Sequence, residues 1–275
     1  MKFLQLIPLI VLFFFTKTSQ SQDLKILNFY SSSLNDKRIV EIYLPSDYDT
    51  NKDKTYPLTI ILDSEFVFDA YWGNMKYFAK NQAAPDHIVV GVRSNIEQAE
   101  YDFSIDLQSG IPDEFGQKFL EFINYDLYPH LERTYRLSNF SSIVGHGKTA
   151  AHINYFLTEE IPNFNAYISI DPDYFEGFHY MIDYKKEDLA DNFYYYYTNG
   201  YQGVVEYKTE ESTEVINSFE SINSEDFQFK FSKDLSSNRL LRFTQGLNEA
   251  FAFFYEIYAP ISRDLYEREL KDLGP

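Results

Sequence analysis

Five consecutive residues, Gly145-His146-Gly147-Lys148-Thr149, carry the most specific chemistry in the sequence. Gly147-Lys148-Thr149 has the ending of a P-loop, whose backbone amides and lysine cradle phosphate oxygens. That loop needs a glycine five positions before the glycine of its GK pair. Ser142 stands there, inside a predicted strand, so the loop would be too short to wrap a phosphate. The histidines are His87, His130, His146, His152 and His179, and none follows position 179. His87, His130 and His152 read as ordinary surface or helix histidines. Asp171-Pro172-Asp173 and Glu225-Asp226 are acidic pairs without the spacing of a calcium loop, and no His or Cys cluster accompanies them. Neither a metal nor a cofactor is expected.

These residues need a frame. Residues 24–29 and 38–44 alternate apolar and polar side chains and read as two antiparallel strands joined by a polar turn over 31–37. The runs at 58–62 and 87–92 are nearly continuous and β-branched, as in strands buried on both faces. Further strands are predicted at 141–144, 166–170, 193–197 and 227–231. Helices are predicted at 115–135, 148–158, 211–222 and 240–258. In 115–135, Phe115, Phe119, Phe122, Ile123 and Leu127 share one face. Strands that alternate with helices give an α/β fold, a mostly parallel doubly wound sheet with right-handed crossovers. The first strand pair would add an antiparallel N-terminal edge. The segment 171–191 is irregular and polar-aromatic.

Residues 117–174 resemble the esterase D/enterochelin-esterase-like family of α/β-hydrolases. Pro129, Leu131, Glu132, Tyr135 and Arg136 fit the family's helix-ending phrase "PYIE…YR". Gly145 and His146 open the phrase "GHSxGG". Pro162, Phe164, Ala166, Ile168, Ser169, Ile170 and Pro172 fit the phrase that follows. Upstream, RIVEIYLP (38–45), YPLTIILD (56–63) and IVVGV (88–92) resemble the opening strands. The resemblance implies one α/β-hydrolase-like domain over 22–275, with 171–191 where such folds insert a lid.

It also implies a catalytic turn of the form G-x-S-x-G, whose serine is held strained and exposed above the sheet. Here the serine slot is Gly147 and the last glycine slot is Thr149. Glycine has no side chain to attack a carbonyl, so the acyl-enzyme route is closed at this position. Thr149, Ser141 and Ser142 are poor substitutes, because a nucleophile must meet both a base and an oxyanion hole. The family's histidine would fall in 232–239, which contains none. His146 matches an elbow residue that is structural, and His179 lies in the lid-like segment. The acid slot follows the strand at 193–197, where Glu206 is the nearest carboxylate. No catalytic residue is assigned. The amide of Lys148 would still face the old site from a helix N-terminus, where a carboxylate or phosphate could sit.

Composition bounds the setting. The chain has 275 residues and no cysteine, so disulfides and lipid attachment through cysteine are excluded. Lys2, the apolar run 3–15 and the polar segment 16–21 have the order of a cleaved signal peptide, too short to span a bilayer. The expectation is export to a periplasm or beyond, with no transmembrane segment after cleavage. A formal charge of −18 disfavours nucleic acid and anionic lipid. The expected function is that of an exported pseudoenzyme, binding a protein partner in the cell envelope or a small ligand in the vestigial cleft. The alternatives are an active hydrolase of carboxylic esters or acylated sugars with a non-standard constellation, and a sugar- or peptide-binding module.

Overall fold

The computed structural model describes residues 24–106, 110–159, 162–173, 178–186, 193–198, 207–222, 224–233, 238–258 and 268. Strands β1 (Lys25–Ser31) and β2 (Asp36–Tyr43) form the predicted antiparallel pair. β3 (Tyr56–Leu62), β4 (Ile88–Val92), β5 (Leu137–His146), β6 (Ala166–Ile170), β7 (Phe193–Thr198) and β8 (Phe227–Ser232) follow. They form one sheet in the order β1-β2-β4-β3-β5-β6-β7-β8. β2 pairs antiparallel with β4, and every later pairing is parallel. This is the expected doubly wound α/β sheet with an antiparallel N-terminal edge. The chain leaves β3 towards β4 and returns to β5 on the other side. Ligand sites in open α/β sheets lie at such a reversal, beyond the carboxyl ends of the strands.

Both sheet faces are buried, and strand residues alternate between two cores. On one face, helices α1 (Ser64–Lys80) and α8 (Arg239–Phe254) pack Tyr71, Met75, Phe251 and Leu247 over Ile61, Val144 and Tyr196. The other face gathers Ile60, Ile143, Tyr195 and Tyr197 with Phe119, Phe156 and Phe219. Helices α3 (Glu114–Glu121), α4 (Tyr128–Thr134), α6 (Phe178–Lys185) and α7 (Tyr207–Glu220) cover it. The run Phe193–Thr198 places five aromatic residues on one strand. Tyr195 stacks on Phe219 at 4.2 Å and on Tyr167 at 6.0 Å, so rings fill the volume that aliphatic residues fill elsewhere.

The structure departs from the expectations in several places. No helix is predicted over 64–80 or 96–102, where α1 and α2 (Ile96–Asp102) stand. The helix expected over 115–135 is broken by a π-helical stretch, Phe122–Leu127, between α3 and α4. The helix expected at 148–158 is a short α5 (Lys148–His152) continued by a tighter 3-10 turn, Ile153–Thr158. Within 171–191 the structure shows α6, whose Phe178 and Ile182 enter the core, so part of this segment is anchored helix rather than irregular chain. His87 and His152 are buried; His152 closes α5, a helix histidine as expected, whereas His87 is neither on the surface nor in a helix. His87 hydrogen-bonds the Thr59 and Tyr255 hydroxyls at 2.9 and 2.7 Å, and His152 lies among Phe103, Phe119 and Tyr155.

Candidate active site

The five-residue turn closes β5 and opens α5, as the motif demands. Gly147 has φ 64° and ψ −122°, a conformation that costs a residue with a side chain about 1–3 kcal/mol. Its amide donates to the Ile170 carbonyl at 3.1 Å, and its carbonyl accepts from the amides of Ala151 and Asp173. The turn is thus fixed by the backbone, with no need of a serine side chain. Gly145 is needed for contact. A Cβ there would lie 2.5 Å from the Thr149 carbonyl carbon and oxygen and 2.6 Å from the Ala150 nitrogen.

Thr149 takes the place of the motif's last glycine and turns inward. Its hydroxyl accepts from the His146 amide at 2.8 Å and contacts the His146 carbonyl at 3.0 Å. That engagement removes it as a nucleophile over Gly147. Ser141 donates to the Asn163 carbonyl at 2.6 Å, and Ser142 is buried against Thr59 at 2.8 Å. Ser142 therefore belongs to a sheet interior, which disposes of the P-loop reading. His179 pairs with Glu214 across α6 and α7 at 3.3 Å. Lys148 is exposed. Glu206 lies outside the described residues.

The side chain that reaches the elbow from the histidine segment is an arginine. Asn238 caps α8, accepting from the amides of Leu240 and Leu241, and this sets Arg239 as the first helical residue. One terminal nitrogen of Arg239 lies 2.5 Å from the position that a Cβ on Gly147 would take. Its Nε stands 3.5 Å from His146 Nε2. Burial, with help from Arg239 and Arg242, lowers the His146 pKa to about 4. The ring is therefore neutral at pH 7 and can accept from Arg239. It packs edge-on to Phe243 at 5.1 Å.

A second arginine of α8 turns inward. Arg242 reaches Asp171 at the end of β6, with Nη2 at 2.6 Å and Nε at 3.2 Å from Oδ2, and both residues are buried. Asp171 is therefore committed to an ion pair and is not part of an open acidic pair. At the end of β3, Asp63 adopts the left-handed conformation, φ 58° and ψ 44°. Burial and the neighbouring Glu65 raise its pKa from 3.8 to about 6, against the pull of Arg239.

Asp63 has a consequence for stability. A carboxyl with a raised folded-state pKa favours folding when protonated. Its contribution is complete below about pH 4 and lost as pH rises through about 6. Asp63→Asn removes the charge, and asparagine tolerates the left-handed backbone. The variant is expected to gain about 1 kcal/mol at pH 8, the full shift being reduced for a partly exposed group. Urea titrations at pH 8 and pH 4.5 check it. A gain equal at both pH values would contradict the electrostatic origin.

Sequence reasoning found the turn and its empty nucleophile slot, but missed Arg239, Arg242, Asp171 and Asp63 as a group. One signal was available. Arg239 and Arg242 are three apart at the start of the last helix, which places them on one side of it.

The family described as "Putative esterase" matches residues 31–152. No curated protein matches the sequence. Among solved structures, an uncharacterised protein from Capnocytophaga ochracea is 22% identical, with a TM-score of 0.79, over 91% of this chain and 69% of its own. The IroE-like serine hydrolase from Shewanella oneidensis is 20% identical, with a TM-score of 0.70, over 86% and 82%. The BES protein from Bacillus cereus is 18% identical, with a TM-score of 0.72, over 92% and 97%. The sheet order, the strand-to-helix turn at Gly147 and these structural matches give the chain the α/β-hydrolase fold.

Proposed function

We propose that this chain is an exported, non-catalytic esterase-like protein that acts by binding, through a ligand in the vestigial cleft or a partner in the cell envelope. One observation carries the reading. The elbow keeps its strained conformation, yet its residue is glycine, and the Arg239 guanidinium occupies the space of the absent side chain. Serine catalysis needs a hydroxyl there with a base beside it. His146 meets Arg239 instead, and the low pKa of its ring makes it a weak base. The signal-like residues 1–21 support export.

A second reading is an ester hydrolase with another constellation. The likeness to a serine hydrolase from Shewanella oneidensis favours it. A fluorophosphonate probe and a generic acyl ester separate the two. The non-catalytic reading expects no labelling and no turnover above the uncatalysed rate. Covalent labelling at any residue would overturn it. Gly147→Ser is expected to remain inactive and to lose about 1–3 kcal/mol, since the new Cβ is strained and must displace Arg239. An active and stabilised Gly147→Ser protein would show that a competent base is present.

A further inference from the structure

The arginines around the strand ends are not equivalent. Arg242 is paired with Asp171, and Arg93 with Glu41. Arg239 is exposed, and among the described residues its hydrogen-bond partner is the His146 imidazole, 3.5 Å from Nε. Among the described residues it forms no ion pair, in a chain with 42 acidic residues. A guanidinium presents a planar fork of donors that matches a carboxylate. His146 engages Nε, and one terminal nitrogen stands at Gly147. Lys148 adds a second exposed cation beside the turn.

The neighbouring strand ends carry a different surface. Beyond β3 and β4 lies a hollow of about 420 Å³, lined by Glu65, Phe66, Ser94, Asn95, Ile96 and Glu97. Phe66 is 73% exposed and Ile96 is 81% exposed, so the hollow offers two neighbouring apolar side chains to a ligand. Glu65 and Glu97 border them, so a second negative charge on a ligand would be repelled there.

We infer that the cleft over Gly147 binds a monocarboxylate with an apolar body, its carboxylate received by Arg239 and its body lying over Phe66 and Ile96. This rests on the non-hydrolytic reading of the cleft, since the carboxylate takes the place of a reacting ester. The chemistry separates it from phosphate, which is a mixture of mono- and dianion at pH 7 and has no apolar body. It also separates it from dicarboxylates, whose second charge would meet Glu65 or Glu97.

Titration calorimetry of the full mature chain at pH 7 tests the assignment with acetate, octanoate, succinate and inorganic phosphate. Octanoate is expected to bind at least tenfold tighter than acetate, and tighter than succinate and phosphate. Arg239→Ala is expected to weaken octanoate tenfold or more, with Arg239→Lys recovering part of the loss. Phe66→Ala and Ile96→Ala should each lower octanoate affinity towards that of acetate. These three side chains are exposed, so the variants should fold, and thermal melts verify it. Wild-type octanoate affinity in Arg239→Ala would overturn the assignment, as would tighter binding of phosphate or no binding at millimolar octanoate. Phosphonate labelling would instead refute the non-catalytic reading, while a protein with neither labelling nor carboxylate binding would refute only the ligand class.

Discussion

Arg242→Ala is expected to destabilise the protein by about 3–5 kcal/mol, the cost of removing one partner from a buried ion pair. Asp171 and Arg242 are 8% and 7% exposed at their side chains, and two donor nitrogens converge on one carboxylate oxygen. Without the guanidinium, Asp171 would be left charged at the end of β6, or would have to take up a proton. Its backbone cannot easily turn away. Residue 171 is in the left-handed region, φ 57°, and its amide is held by the Thr198 hydroxyl at 3.0 Å. The double variant Asp171→Asn/Arg242→Met removes both charges and is expected to recover most of the loss, because asparagine accepts the backbone and methionine fills the volume of the arginine stem. Urea unfolding of the two single variants and the double variant forms a thermodynamic cycle. A loss under 1 kcal/mol for Arg242→Ala would mean that the pair is solvated in solution.

Gly145→Ala is expected to cost about 3 kcal/mol, at the upper end for adding one methyl to a packed interior. The new carbon would meet main-chain atoms of Thr149 and Ala150, not the end of a flexible side chain. Relief requires α5 to lift from β5. That would stretch the link between the Thr149 hydroxyl and the His146 amide. Gly147→Ser meets only the mobile end of Arg239, so Gly145→Ala should be the more damaging change even though Gly147 occupies the nucleophile's slot. Thermal melts of both variants compare them directly. The reverse order would show that the turn is looser than the close approach at Gly145 implies.

The strands were legible because a sheet buried on both faces demands apolar runs, and IVVGV and AYISI can do little else. Even the run FYYYYT reads as a strand, since tyrosine suits a pleated surface. Helices α1 and α2 (Ile96–Asp102) were not predicted, although the Asn95–Gln98 capping box of α2 was there to be read. α1 begins after Asp63 without a side-chain cap and carries Gly73 in its interior. The π-helical turn at Phe122–Leu127 was hidden because Phe122, Ile123 and Leu127 fall on the buried side in either kind of helix. The buried histidines were illegible for a different reason. Histidine is neither clearly polar nor clearly apolar, and only tertiary contacts show that His87 is satisfied by two hydroxyls. At the site, the elbow could be read because it is contiguous. Asp63, Asp171 and Arg239 come from β3, β6 and the last helix, and no local pattern joins residues that only the strand order brings together.

The contact between Gly147 and Arg239 also bears on which substitutions lie within evolutionary reach. A serine at 147 alone inherits the strain and collides with the guanidinium. A histidine at 239 alone would stand beside a turn with no hydroxyl to activate. On the non-catalytic reading proposed above, neither single change would be rewarded, so selection for hydrolysis would meet a barrier at least two mutations wide. A library that varies positions 147 and 239 jointly would sample sequences that stepwise evolution of this chain does not reach.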